Sequence, residues 1–145
     1  MVIGDLNNEF STFFINCSTW FRELTRESLN ELGITSGQYK LLHIIKKSQP
    51  CRMSELSDNI HVSCGSATVM VNKLVEMGLT ERMDSPKDRR VIYIKLTKAG
   101  ESLIDEHKRI FNEILKRRLT KLTEEEQKIL LDNVRELNHL LEKFL

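Results

Sequence analysis

Between Ser63 and Gly100 the chain carries a pattern that few folds accommodate: a short capped helix, an abrupt stop, and two strand-like runs around a basic turn. Ser63 is placed to cap a helix whose apolar positions Ala67, Met70, Val71 and Leu74 recur at helical spacing. Gly78 supplies a residue able to enter the left-handed conformation that ends such a helix. Leu79-Thr80-Glu81-Arg82 then leads into the charged turn Asp84-Ser85-Pro86-Lys87-Asp88-Arg89-Arg90. The following run, Val91-Ile92-Tyr93-Ile94-Lys95-Leu96, has the β-branched and aromatic content of a strand. A short helix from about Met53 to Ile60 precedes this stretch across the tight connection His61-Val62-Ser63. Two helices across a short turn, followed by a basic hairpin, predict a winged helix-turn-helix. Its second helix suits the major groove of DNA, and its hairpin suits the backbone and minor groove.

Charge is distributed accordingly. The whole chain carries a net charge of only +1. From Arg82 to Lys98, however, six basic residues stand against two acidic ones, while residues 1–50 hold five of each sign and residues 101–145 hold nine basic and ten acidic groups. The positive field is therefore expected on the hairpin. No apolar run approaches the roughly 18 residues of a membrane span, and Met1–Asp5 lacks the start of a signal peptide. Cys17, Cys51 and Cys64 form no CxxC pair and are odd in number, which fits neither a zinc knuckle nor a disulfide framework. A cytoplasmic protein with reduced thiols and no membrane partner is expected.

Helical patterns flank the central segment. Leu6, Phe10, Phe13, Phe14, Cys17, Trp20, Phe21, Leu24 and Leu29 form one broad stripe on a first helix of about Leu6–Leu32, stopped by Gly33. Thr35 and Gln38 form a capping box for a helix through Leu41, Leu42, Ile44 and Ile45, which Pro50 prevents from continuing. Thr97 opens a helix to about Leu119, and Thr123 with Glu126 opens a last one containing Ile129, Leu130, Val134, Leu137, Leu140, Leu141 and Phe144. The expected fold is mainly α: a winged helix-turn-helix core at 35–98 with a two-stranded β-hairpin wing, flanked by N- and C-terminal dimerisation helices at 1–34 and 99–145. The end helices present more apolar stripe than so small a domain can cover, which points to a homodimer.

Met77-Gly78-Leu79-Thr80-Glu81-Arg82, the turn from Asp84 to Arg90, and Lys95-Leu96-Thr97-Lys98-Ala99-Gly100 together resemble the wing region of the MarR family of transcriptional regulators. Thr35–Leu42 is also similar to that family's second helix, and the order of elements matches over nearly the whole chain. The resemblance implies a homodimer that binds pseudo-palindromic operators in double-stranded DNA, usually a repressor whose affinity is altered by a small ligand or by oxidation. It places Arg90 as the wing arginine entering the minor groove, where negative potential favours a guanidinium. It makes Asp88 a wing-orienting residue, with Arg82 as its ion-pair partner. Lys87 and Arg89 join Arg90 as candidate DNA contacts, each set against the alternative of a solvated hairpin charge.

Gly65, Ser66, Thr68, Val69, Asn72 and Lys73 are the outward positions of the recognition helix. Ser66 and Thr68 can bond phosphates or base edges, or can merely cap the helix and face solvent. Val69 can meet a thymine methyl and Lys73 can neutralise a phosphate. Family members often carry a basic residue where Val69 stands, so greater dependence on the wing and on DNA shape is expected here. Cys64, in the first turn of that helix, is a redox candidate or simply a small residue at an exposed turn. Trp20, Tyr39 and His43 could wall a pocket for a small aromatic effector, or could fill the core. The position of the peroxide-sensing branch's reactive cysteine falls at Ser11. The zinc-responsive branch's second histidine falls at Phe111, and another of its ligands near Lys40, leaving His107 as a buried or interface histidine. No cofactor, no metal and no enzymatic constellation is expected. The alternative is a winged-helix module that docks proteins without binding DNA.

Overall fold

The computed structural model describes residues 2–88 and 90–144, with only the backbone of Val2 and Phe144. Among the described residues, six α-helices and three strands follow one another as α1 (Val2–Glu31), α2 (Ser36–Ser48), β1 (Cys51–Arg52), α3 (Met53–Ile60), α4 (Cys64–Glu76), β2 (Thr80–Asp84), β3 (Ile92–Leu96), α5 (Lys98–Leu119) and α6 (Glu124–Leu141). A short 3₁₀ turn, Glu142–Phe144, closes the chain. Local chemistry sets the boundaries. The Thr35 and Thr123 hydroxyls accept from the amides of Gln38 and Glu126, whose side chains bond back to the cap amides. Gly33 and Gly78, with φ of 66° and 71°, turn the chain out of α1 and α4. In the helix-turn-helix corner it is His61 that takes the left-handed conformation, and its amide bonds back to Ser57 and Asp58.

Among the described residues the sheet has three antiparallel strands in the order β1-β3-β2: the expected two-stranded hairpin wing, β2 and β3, with the short β1 added to β3. Pro50 ends α2, and the two extended residues after it pair with β3 as Cys51↔Ile94 and Arg52↔Tyr93. Cys51 is fully buried there, its thiol donating to the Ile94 carbonyl at 3.6 Å. The hairpin is in register from Thr80↔Leu96 to Asp84↔Ile92.

Residues up to Phe111 form one compact unit and those from Asn112 another. The core of the first comprises Leu41, Leu42 and Ile45 of α2, Leu56 of α3, Val71 and Leu74 of α4, Ile94 of β3 and Ile104 of α5, all fully buried. Burial of each such side chain contributes about 1.5–3 kcal/mol before entropy is counted. Of the α1 stripe, only Leu24 and Leu29 are buried; Leu6, Phe10, Phe13, Phe14, Trp20 and Phe21 are exposed. In the second unit α6 buries none of its residues. No helix among the described residues is long and apolar enough to cross a membrane.

Candidate nucleic-acid interface

Ala67, Val71 and Leu74 anchor α4 in the core, which turns its opposite face to solvent. Gly65, Ser66, Val69 and Lys73 are exposed on that face, and Thr68 is half-buried. The Ser63 hydroxyl accepts from the Ser66 amide at 3.2 Å and donates to the Ser66 hydroxyl at 3.0 Å. Ser66 thus keeps its own O–H to donate. Thr68 donates to the Cys64 carbonyl at 2.7 Å, so its oxygen remains only as an acceptor. Cys64 is exposed, with its sulfur 3.3 Å from the Ser57 hydroxyl.

The wing turn is held by two side chains. Ser85, nearly buried, accepts from the amides of Lys87 and Asp88, each at 3.3 Å, and its own amide donates to the Val91 carbonyl at 3.0 Å. The Asp88 carboxylate accepts from the Arg90 amide at 2.9 Å, a local Asx turn. Lys87 and Arg90 are exposed at this tip; Arg89 lies outside the described residues. The expected ion pair between Asp88 and Arg82 is replaced by two other contacts. Asp88 bonds within its own turn, while Arg82, on β2, donates to the side-chain oxygen of Asn72 on α4. Lys95 pairs across the hairpin with Glu81 at 2.7 Å, which removes one cation from the free positive surface. Arg52 adds a charge that helical periodicity does not flag: β1 brings its guanidinium 5.8 Å from the centre of the Tyr93 ring.

The motif residues behind the wing have a shared job. Thr97 donates its amide to the Leu79 carbonyl at 3.1 Å and its hydroxyl to the Gly78 carbonyl at 2.6 Å. The same hydroxyl accepts from the Gly100 amide at 3.1 Å, joining the exit of α4 to the start of α5.

The three expected pocket residues do not converge. Tyr39 and His43 bond to each other at 2.8 Å, and Tyr39 packs on His107 with ring centres 4.1 Å apart. The row continues through Phe111 to Phe21. His107 is buried and bonds the Ser28 hydroxyl at 2.9 Å. Burial, then the neighbouring His43, holds its pKa below the usual histidine value. Burial followed by Lys108, Lys46 and Lys47 does the same to His43. Trp20 makes no ring contact among the described residues and is exposed. An open groove of about 760 Å³ lies instead along α1 and the start of α2, lined by Cys17, Ser18, Phe21, Arg22, Thr25, Arg26 and Ser36.

A helix-turn-helix whose second helix is exposed along one face, beside a sheet extended into a basic hairpin, defines a winged-helix protein. The MarR family profile matches residues 34–92. The multiple antibiotic resistance protein MarR of Escherichia coli is 32% identical over 122 residues, covering 84% of this chain and 81% of that protein. The crystal structure of wild-type E. coli MarR in its apo form superposes with a TM-score of 0.70 at 30% identity, over 93% of this chain and 95% of that one. A variant of MepR from S. aureus, bound to an oligodeoxyribonucleotide, shares the fold with a TM-score of 0.74 at 21% identity, over 91% of this chain and 97% of that one. The chain belongs to the MarR family of winged-helix, DNA-binding transcriptional regulators.

Proposed function

We propose that this protein is a homodimeric, sequence-specific repressor, acting in the cytoplasm on pseudo-palindromic operators and released by a small aromatic ligand or by oxidation. The observation that carries the DNA-reading part is the wing turn. Ser85 and Asp88 hold its backbone by three hydrogen bonds, so the exposed Arg90 is presented from an ordered loop. Gly65, Ser66, Thr68, Val69 and Lys73 read the major groove, and Lys87, Arg89 and Arg90 act at the backbone and minor groove. Asp88 orients the wing through the Arg90 amide.

The two-fold interface belongs to the terminal helices, 1–34 and 99–145, with 35–98 as the reading domain. Phe14 is 63% exposed on α1 beside the exposed Phe10, Phe13 and Phe21, and Ile129 is 55% exposed on α6 beside the exposed Leu130 and Val134. Apolar faces of this extent suit a second copy. In the repressor, Tyr39 and His43 join α2 to His107 on α5, a seam an effector can disturb, and Cys64 is the thiol through which oxidation reaches the reading face.

Titration of an operator duplex and a scrambled duplex over a range of salt tests this function. Steep salt dependence with tighter operator binding is expected. Equal, salt-insensitive or absent binding would favour the protein-docking module instead.

A further inference from the structure

Asn72 lies on α4 next to the exposed Lys73, among the residues proposed above to face DNA, and asparagine, like glutamine, is matched to adenine. That match requires a carbonyl to accept from the base amino group and an amide to donate to the ring nitrogen. The hydrogen bond to Arg82 takes one of that carbonyl's two lone pairs and turns the oxygen towards β2. Because a guanidinium only donates, the accepting atom is fixed as Oδ1, which faces β2. Asn72 is half-buried, as befits a residue packed against a neighbouring strand.

Among the described residues Arg82 has no second tie at the wing tip, where Asp88 holds the Arg90 amide. It stands opposite Ile94, whose side chain is fully buried in the core. The strand under Arg82 is therefore anchored, and the guanidinium reaches from it to the last turns of α4. Thr97, at the end of the returning strand, bonds the exit of α4 through the Gly78 and Leu79 carbonyls. That link lies at the far end of the hairpin from the tip.

We infer that Asn72 and Arg82 form a positioning pair that sets the wing against the recognition helix, and that Asn72 contributes to operator choice through Arg82 rather than by reading a base. This rests on the DNA-reading function above. A reader with two contact elements discriminates only if both reach their sites together. Freeing β2 from α4 lets the wing arginine and the helix bind in poorly matched registers, which lowers preference for the operator more than general affinity.

The test is the ratio of affinities for operator and scrambled duplexes, measured for wild type, Asn72→Ala, Arg82→Ala, the double variant and Asn72→Asp. The ratio cancels the loss of charge that Arg82→Ala brings to all DNA. Each alanine variant is expected to lower it about tenfold, and the double variant by about the same tenfold, because the pair acts as one. Asn72→Asp keeps an acceptor for Arg82 and should retain most of the preference. It also carries the test if either alanine variant melts below the assay temperature.

Three outcomes overturn the inference: additive losses of about a hundredfold in the double variant, an unchanged ratio in both single variants, or base preference relaxed at a single operator position by Asn72→Ala alone. The last would make Asn72 a direct reader. Absence of any operator preference in the wild type would instead remove the DNA-reading function on which the inference stands.

Discussion

Gly100 decides whether α5 can start where the hairpin returns. A Cβ on it would overlap the Leu79 backbone carbonyl, the same group that accepts from the Thr97 amide. Backbone on both sides leaves no flexible side chain to give way. Gly100→Ala should therefore destabilise the protein by about 2–4 kcal/mol in denaturant unfolding, and a change under about 0.5 kcal/mol would contradict the packing described. The sequence marked this residue only through the resemblance of Lys95–Gly100 to the family's wing region, and the need for a missing Cβ came from the fold. The Arg82 partner was not legible in the sequence. Asp88 and Asn72 are both acceptors within ten residues of it, and only the fold shows that the wing turn has already taken Asp88 for its own backbone. The groove along α1 was equally hidden, since it joins residues 17–26 to Ser36 across a turn.

Among elements, helices announced themselves through capping chemistry, and both boxes expected from threonine and its third neighbour are formed. Strand β1 gave no such signal: two residues are too few for a periodicity, and their pairing depends on β3 more than forty residues away. The seam of α1, α2 and α5 turns on His107, beside Ser28, Tyr39 and His43, with Lys46, Lys47 and Lys108 nearby. Both histidines titrate below their usual value when folded, whereas in the unfolded chain they gain a proton near pH 6.5. Below that pH the unfolded state binds more protons, so folding stability is flat above about pH 7 and declines as pH falls through about 6.5 towards the folded values. His107→Gln should flatten part of that decline in unfolding curves taken from pH 7.5 to 5. An identical slope in the variant would show that His107 is not responsible.

At the scale of the whole molecule, periodicity marked the stripe on α1 and its excess over the domain pointed to a second copy, and the structure leaves that stripe exposed from Leu6 to Phe21 apart from the half-buried Cys17. A second copy is the covering this account requires. Phe14→Glu places a charge on that face at a side chain already 63% exposed, so the fold should survive while sedimentation shifts from dimer to monomer. A dimer persisting unchanged would move the interface elsewhere. The proposed dimer would in turn give the operator its form, with two recognition helices about 34–36 Å apart along one face of the duplex. Selection of bound duplexes from a random library, with wild type beside Arg90→Ala, tests the account most directly. An inverted repeat with half-sites about one helical turn apart, enriched by wild type and lost with Arg90→Ala, is the predicted result. Equal enrichment by both proteins, or none by a folded wild-type dimer, would contradict it.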